Sequence, residues 1–309
     1  MIKQKFGLKP LTNSKTYYFA IAQLFSAGVI WGLSFTCVKW GLVDFSTSQL
    51  LFWRFLMAFI FGEVFLYLFS KKSWQSSHKD ILLSLKPGLF LGFSLIFQIH
   101  GLHYTTATNS GFITSLYVVI IPFISLFLFS HSVRWFHFAL ALLAFIGMGL
   151  LLNLHEFNIN KGDLLTLGAA FTAAFQIIYI GHTAKHSTNA FRYNNYQTFW
   201  CLLTLIPFLV YESLSLSKGL LPEHVSTLSI TGLLILVFFV SMLAFFLQVS
   251  SQKVLSTTTA SMLCLLEAPF SFLFATLILG ETLIGLQILG AFLILLSSAL
   301  SIYVDRPQH

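Results

Sequence analysis

The sequence predicts an all-α membrane protein of ten transmembrane helices in two inverted five-helix repeats, with the N- and C-termini cytoplasmic. Three observations carry this. Of 309 residues, 57% are apolar and only 9% charged, against about a quarter charged in soluble proteins, and the mean hydropathy is +0.84. From residue 87 to residue 133, 47 consecutive positions hold no Lys, Arg, Asp or Glu, room for two bilayer crossings at about 20 residues each. Residues 97–154 laid over 247–304 without a gap repeat one pattern of small, polar and apolar positions. A water-soluble fold is excluded. The apolar runs are continuous and do not alternate, which argues for helices over a β-barrel.

Apolar runs bounded by charge and turn clusters place spans near 17–38, 48–69, 87–103, 110–130 and 135–153, then near 164–182, 193–211, 230–250, 258–279 and 283–304. The chain therefore divides into a basic leader (1–16), a first half (17–154), a second half (155–304) and a short tail (305–309). The run after Lys3, Lys5, Lys9 and Lys15 is longer than the apolar core of a secretory signal, about 7 to 15 residues, and no small-x-small cleavage site follows it. It is expected to be the first span.

With the N-terminus inside, 13 basic residues fall in inner segments: the four leader lysines, Lys71, Lys72, Lys79, Lys86, Arg134, Lys185, Arg192, Lys253 and Arg306. Only Lys39, Lys161 and Lys218 fall outside, and Arg54 lies within a span. That asymmetry sets both termini inside and makes the net charge of +7 a topology signal rather than a nucleic-acid footprint. Cys37, Cys201 and Cys264 all sit in apolar runs without metal-type spacing, so they are expected to be buried thiols.

At an offset of 150 the alignment pairs Gln98 with Gln248, and a Thr-rich stretch around Thr108 with one around Thr258. Thr106, Ser110, Thr114, Tyr117 and Ser125 share one helical face of the fourth span. Their counterparts in the ninth are Ser256, Ala260, Cys264, Glu267 and Ala275. Such faces either let helices pack closely or line a watery cavity; Tyr117 and Glu267 are read as cavity residues. Five spans per half invert the second half relative to the first, the arrangement of many secondary transporters with a midplane site between repeats.

Several short motifs occur in order: Trp31, Gly32, Leu33, Ser34 and Phe35; Phe52, Trp53, Arg54, Phe55 and Leu56; the stretch from Gly111 to Tyr117; and Leu266, Glu267, Ala268 and Pro269 leading to Leu279, Gly280 and Glu281. Together, over nearly the whole chain, they resemble the EamA-like branch of the drug/metabolite transporter superfamily. The resemblance implies alternating access around a central cavity lined by the first, third and fourth spans and their counterparts. It leaves the substrate open among amino acids, nucleotide-like metabolites, cations and drugs, and implies a plasma-membrane location, the inner membrane in a bacterium. His131 stands where the first half of the family often carries an acidic residue matching Glu281. Pro122 lies three residues beyond the match to Pro269, so the halves are expected to move unequally.

Glu267 is the leading functional residue, because an intramembrane carboxylate marks a substrate or proton pathway. The alternative is a protonated Glu bonding a carbonyl freed by Pro269. Gln98, Gln176, Gln248 and Thr114 can donate and accept towards a polar substrate or bond between helices. Trp31, Tyr117 and Tyr179 can wall a cation or planar ligand. Arg54 is expected to pin a helix end or pair with a neighbouring helix, ahead of substrate contact, and Glu63 to lie near the inner interface or bond a neighbour. His100 and His103 lack a third ligand nearby, so no metal site is expected, and the Gly28/Gly32 and Gly88/Gly92 spacings are read as packing. No P-loop, nucleophile elbow or dinucleotide fingerprint occurs, so no cofactor is expected and the energy source is a gradient. The expected partners are a small-molecule substrate and the lipid bilayer, with the protein a monomer or homodimer. An intramembrane lipid-modifying enzyme would need ionisable residues converging at one depth, and a non-transporting sensor would show no substrate-dependent stabilisation.

Overall fold

The computed structural model describes residues 14–75, 78–105, 107–129, 135–152, 160–216, 219–280 and 284–307. Thr106, His131, Arg134, Lys218, Glu281 and the first three leader lysines lie outside the described residues. The described residues form helices and turns with no strand. In order, the helices are α1 (Ser14–Gly41), α2 (Thr47–Phe69), the short α3 (Lys71–Gln75) and α4 (His78–Leu83), α5 (Leu85–Leu102), α6 (Ala107–Ser115), α7 (Tyr117–Phe129) and α8 (Trp135–Leu151). There follow α9 (Lys161–Thr183), α10 (Ala190–Leu216), α11 (Thr227–Ile235), a π-helix (Leu236–Ala244), α12 (Phe245–Gln252), α13 (Thr257–Cys264), α14 (Glu267–Leu279) and α15 (Gly285–Asp305). Among them, eight helical stretches are long and apolar enough to cross a membrane, and α8 is a shorter apolar helix.

Polar residues at the ends of apolar runs start the helices. Ser46 and Gln49 form a reciprocal capping box on α2, and Asn160 and Asp163 form another on α9, each satisfying two otherwise orphaned backbone donors. Ser226 and Ser256 cap α11 and α13. Gly280, in the left-handed region at φ 70°, ends α14, a conformation that a side chain disfavours.

Small residues bring the helices together. A Cβ on Gly32 of α1 would sit 2.5 Å from the Phe270 Cβ of α14, and one on Gly92 of α5 would overlap Thr204 of α10. Both glycine pairs thus pack within the chain, as their spacing predicts. α5 lies along α9, with Gly101 and Gly162 at the crossing, and α8 lies along α15, with Gly147 and Gly290 at theirs. α2 lies along α10, and α1 packs against α14 and the α11–π–α12 stretch. The three cysteines are buried and unpaired.

Carboxylates tie the two halves together at opposite ends of α2, whose 23 residues measure about 35 Å. At one end Asp44 accepts from the Ser226 amide at 2.8 Å and the Ser226 hydroxyl at 2.5 Å. At the other, Asp80 accepts from the amides of Thr188 and Asn189 at 2.8 and 3.1 Å and from the Thr188 hydroxyl. The hydroxyls of Ser226 and Ser229 and the Ser226 amide push the Asp44 carboxyl down to about 2. A depressed folded-state value makes the contribution to stability complete above the unfolded value of about 3.9 and removes it as pH falls through about 2. The wild type should therefore unfold at a higher temperature than Asp44→Asn at pH 6, and that advantage should shrink towards pH 2. A pH-independent gap between the two melting curves would refute the tie.

Candidate functional site

The fourth and ninth expected spans are each broken in two, at equivalent points. Leu116 separates α6 from α7, and Leu265 and Leu266 separate α13 from α14. The Leu116 amide bonds the Ile113 carbonyl at 3.1 Å, one residue short of helical register, and the Ser115 hydroxyl takes up the released Phe112 carbonyl at 2.6 Å. In the second half the Leu266 amide bonds the Leu263 carbonyl at 3.2 Å, and the released Met262 carbonyl accepts from Ser298 of α15 at 2.9 Å. Pro269 deprives the Leu265 carbonyl of its usual donor, and the Ala268 amide replaces it at 3.1 Å.

Each break puts a polar residue first in the half-helix that follows: Tyr117 in α7 and Glu267 in α14. Glu267 is surrounded by the bundle and keeps part of its surface accessible. Among the described residues its carboxyl group takes no hydrogen bond. Tyr117 and Cys264 lie within its electrostatic range, and Gly28 brings the α1 backbone alongside Leu266 and Glu267.

From Glu267 a set of side chains runs across four helices, α14, α13, α12 and α1. Cys264 lies 3.9 Å from the Gln248 amide nitrogen, on α12. Phe245, one turn before Gln248, meets the Trp31 ring edge-on at 5.4 Å between centroids. The first half repeats the motif 150 residues earlier, where the Gln98 amide nitrogen lies 3.4 Å from the Thr114 hydroxyl. Two polar atoms here are buried and have no partner among the described residues, the Trp31 indole N–H and the Gln248 amide oxygen. Most buried polar groups find a partner, so such orphans call for a bound molecule or water.

Of the eight residues singled out from sequence, the structure links Glu267, Tyr117, Trp31 and Gln248 through this set, and Gln98 and Thr114 through the matching pair. Gln176 is buried on α9 with its amide nitrogen unsatisfied among the described residues. Tyr179 stands apart: it stacks on Phe90 at 5.5 Å under the Lys86 ammonium at 5.0 Å. Lys86 is 12 residues before Gln98 on α5, about 18 Å along the helix. Arg54 is buried and its Nε donates to the Ser241 hydroxyl at 2.8 Å. Glu63 bonds Asn195 and Trp74, with Arg192 at 3.6 Å. Among the described residues no group of three His, Cys, Asp or Glu can hold a metal ion. Sequence reasoning passed over Asn194 and Gln197 of α10, although amides inside a predicted span are themselves a signal.

The family model for EamA-like transporters matches this chain twice, over residues 18–153 and 160–303. The chain belongs to the EamA-like transporter family. A protein of Archaeoglobus fulgidus described as an uncharacterized transporter is 34% identical over 298 residues, spanning 96% of this chain and 88% of its own length. A solved protein structure superposes with a TM-score of 0.75 at 16% identity, over 96% of this chain and 99% of that one, a likeness of fold alone. This EamA-like protein is accordingly a multi-pass membrane transporter.

Proposed function

We propose that the protein is a secondary active transporter that moves a small organic metabolite, an amino acid or related compound being the first class to test, by alternating access with proton coupling or exchange. Ten helices cross the bacterial inner membrane as two inverted five-helix repeats, 17–154 and 155–304, with both termini in the cytoplasm. The protein works as a monomer or homodimer. Substrate contacts come from Glu267, Tyr117, Trp31, Gln98, Gln248 and Thr114 around the two helix breaks, with Gln176 and Tyr179 on the path from them, and Glu267 carries the proton.

The single observation that carries this reading is Glu267 itself: a carboxyl group inside the bundle that takes no hydrogen bond among the described residues, within electrostatic range of Tyr117 at the matching break. Broken helices at the interface of repeats are where transporters build substrate and ion sites. The test is a thermal-shift screen of detergent-purified protein against a metabolite library at two pH values. A ligand of the folded protein raises its melting temperature by mass action. The expected result is stabilisation that depends on pH in the wild type and not in Glu267→Gln. If no metabolite stabilises the wild type and none crosses proteoliposomes, the reading is wrong.

A further inference from the structure

The two helix breaks are equivalent in sequence position, yet their surroundings differ. From Thr258 to Leu266, nine consecutive residues of α13 and its break are buried, so this stretch is enclosed on every face. At positions 150 residues earlier, Asn109, Gly111, Phe112, Thr114 and Leu116 are only half-buried. Gln248 is 2% exposed, while its match Gln98 is half-buried. Residue chemistry does not explain the difference, because the enclosed stretch carries Thr258, Thr259 and Ser261 and the half-buried one carries Phe112.

Helix packing shows the same asymmetry. α13 packs on α7 and on α9. Inverting the repeats turns α13 on α7 into α6 on α14, and α13 on α9 into α6 on α1. Among the described residues neither of those pairs packs to a like extent. The closure is tightest against α9, where a Cβ on Gly181 would stand 2.6 Å from the Thr257 hydroxyl. One turn earlier on α9, the Ile177 carbonyl accepts from the Gln252 amide nitrogen of α12 at 3.3 Å. The Gln252 amide oxygen is buried with no partner among the described residues, which suits a side chain that changes partners between two arrangements. Thr259 donates to Asp305 at 2.6 Å and Tyr17 to the Ile302 carbonyl at 3.0 Å. The enclosed end is therefore the one where α1 begins and α15 finishes.

We infer that the protein is closed here at the end of its chain termini and open at the other, and that the crossing of α12 and α13 on α9, at Ile177 and Gly181, is the gate. The inference rests on the transport reading above and assigns its moving contact. Opening that end separates Thr257 from Gly181 and frees Gln252 from Ile177, while α6 closes on α14 and α1 at the opposite end. Packed elements switch between such discrete arrangements rather than deform continuously.

The test reads thiol reactivity, so it needs no known substrate. Detergent-purified full-length protein is treated with a water-soluble maleimide, and each cysteine is followed by peptide mass spectrometry. Cys264 lies on the enclosed α13, and Thr114→Cys puts a thiol at the matching position of α6. The new thiol is expected to react about tenfold or more faster, because Cys264 reacts only through a minor state; equal rates overturn the asymmetry. Gly181→Cys combined with Thr257→Cys sets two Cβ atoms 3.7 Å apart, within disulfide reach. Oxidation with copper phenanthroline is expected to join them within one chain and to slow Cys264 labelling about tenfold against the reduced protein. A bond that does not form, or one that leaves Cys264 labelling unchanged, overturns the gate. Gln252→Ala leaves the Gly181 crossing intact and removes the bond to Ile177, so it should speed Cys264 labelling about fivefold; an unchanged rate counts against the gate even where the double variant fails to fold. If the oxidised double variant still carries a metabolite across proteoliposomes, the gate falls and the transport reading stands. If labelling behaves as expected and the wild type carries no metabolite, the opening motion stands and the transport reading falls.

Discussion

Glu267→Gln is expected to abolish accumulation driven by a pH gradient while leaving the protein folded. One pH unit is worth about 1.4 kcal/mol per proton, enough for about tenfold accumulation of a substrate coupled to one proton. Proteoliposomes holding the wild type should approach that ratio, and those holding the glutamine variant should stay near equal concentrations on both sides. Glutamine has the shape of the protonated acid and cannot release the proton, and among the described residues the carboxyl group takes no hydrogen bond for the fold to lose. The melting temperature should therefore hold or rise, because a buried group without partners is destabilising. A variant that accumulates substrate as the wild type does removes Glu267 from the proton pathway. A variant that no longer folds assigns it to structure instead.

Gly290→Ala is expected to give the largest loss of stability from a single methyl group. The added Cβ would lie 2.3 Å from the Leu151 amide nitrogen, 2.5 Å from the Gly147 carbonyl oxygen and 2.9 Å from the Leu151 Cα. All three are backbone atoms of α8, so no rotamer relieves the clash and α8 and α15 must separate along their whole contact. Overpacking typically costs about 1–3 kcal/mol, and a backbone-limited case belongs at or above the upper end. Gly285→Ala, at the start of the same helix, meets nothing within 4 Å and should be neutral or slightly stabilising. Thermal unfolding of both variants in detergent checks the contrast; equal melting temperatures would contradict the α8–α15 packing.

How far the sequence could be read differs from element to element. The α1, α2, α9 and α10 helices each cover an apolar run that marked them, and the glycine spacings on α1 and α5 announced close crossings before any partner was known. The offset of 150 pointed to Tyr117 and Glu267 as equivalents, and the structure finds each first in its half-helix. The expected single runs 110–130 and 258–279 are broken, however. Pro269 offered a hint in the second half, but Leu116 has no proline beside it: its break comes from one amide moving to a nearer carbonyl, with Ser115 compensating. Arg54 was expected to pin or pair a helix. Its bond to Ser241 depends on a π-helix 187 residues away.

The sequence by itself determined the membrane class, the positions of the long apolar helices, the family and the intramembrane carboxylate. These follow from hydrophobic length and local spacing, and a bilayer turns both into one-dimensional properties of the chain because each helix satisfies its own backbone. Only the tertiary structure decided which buried polar atoms lack partners among the described residues, that Tyr179 stacks beneath Lys86, and that Arg54 and Asn194 both meet Ser241. Hydrogen-bond satisfaction is a property of pairs, and its partners here come from helices far apart in the chain.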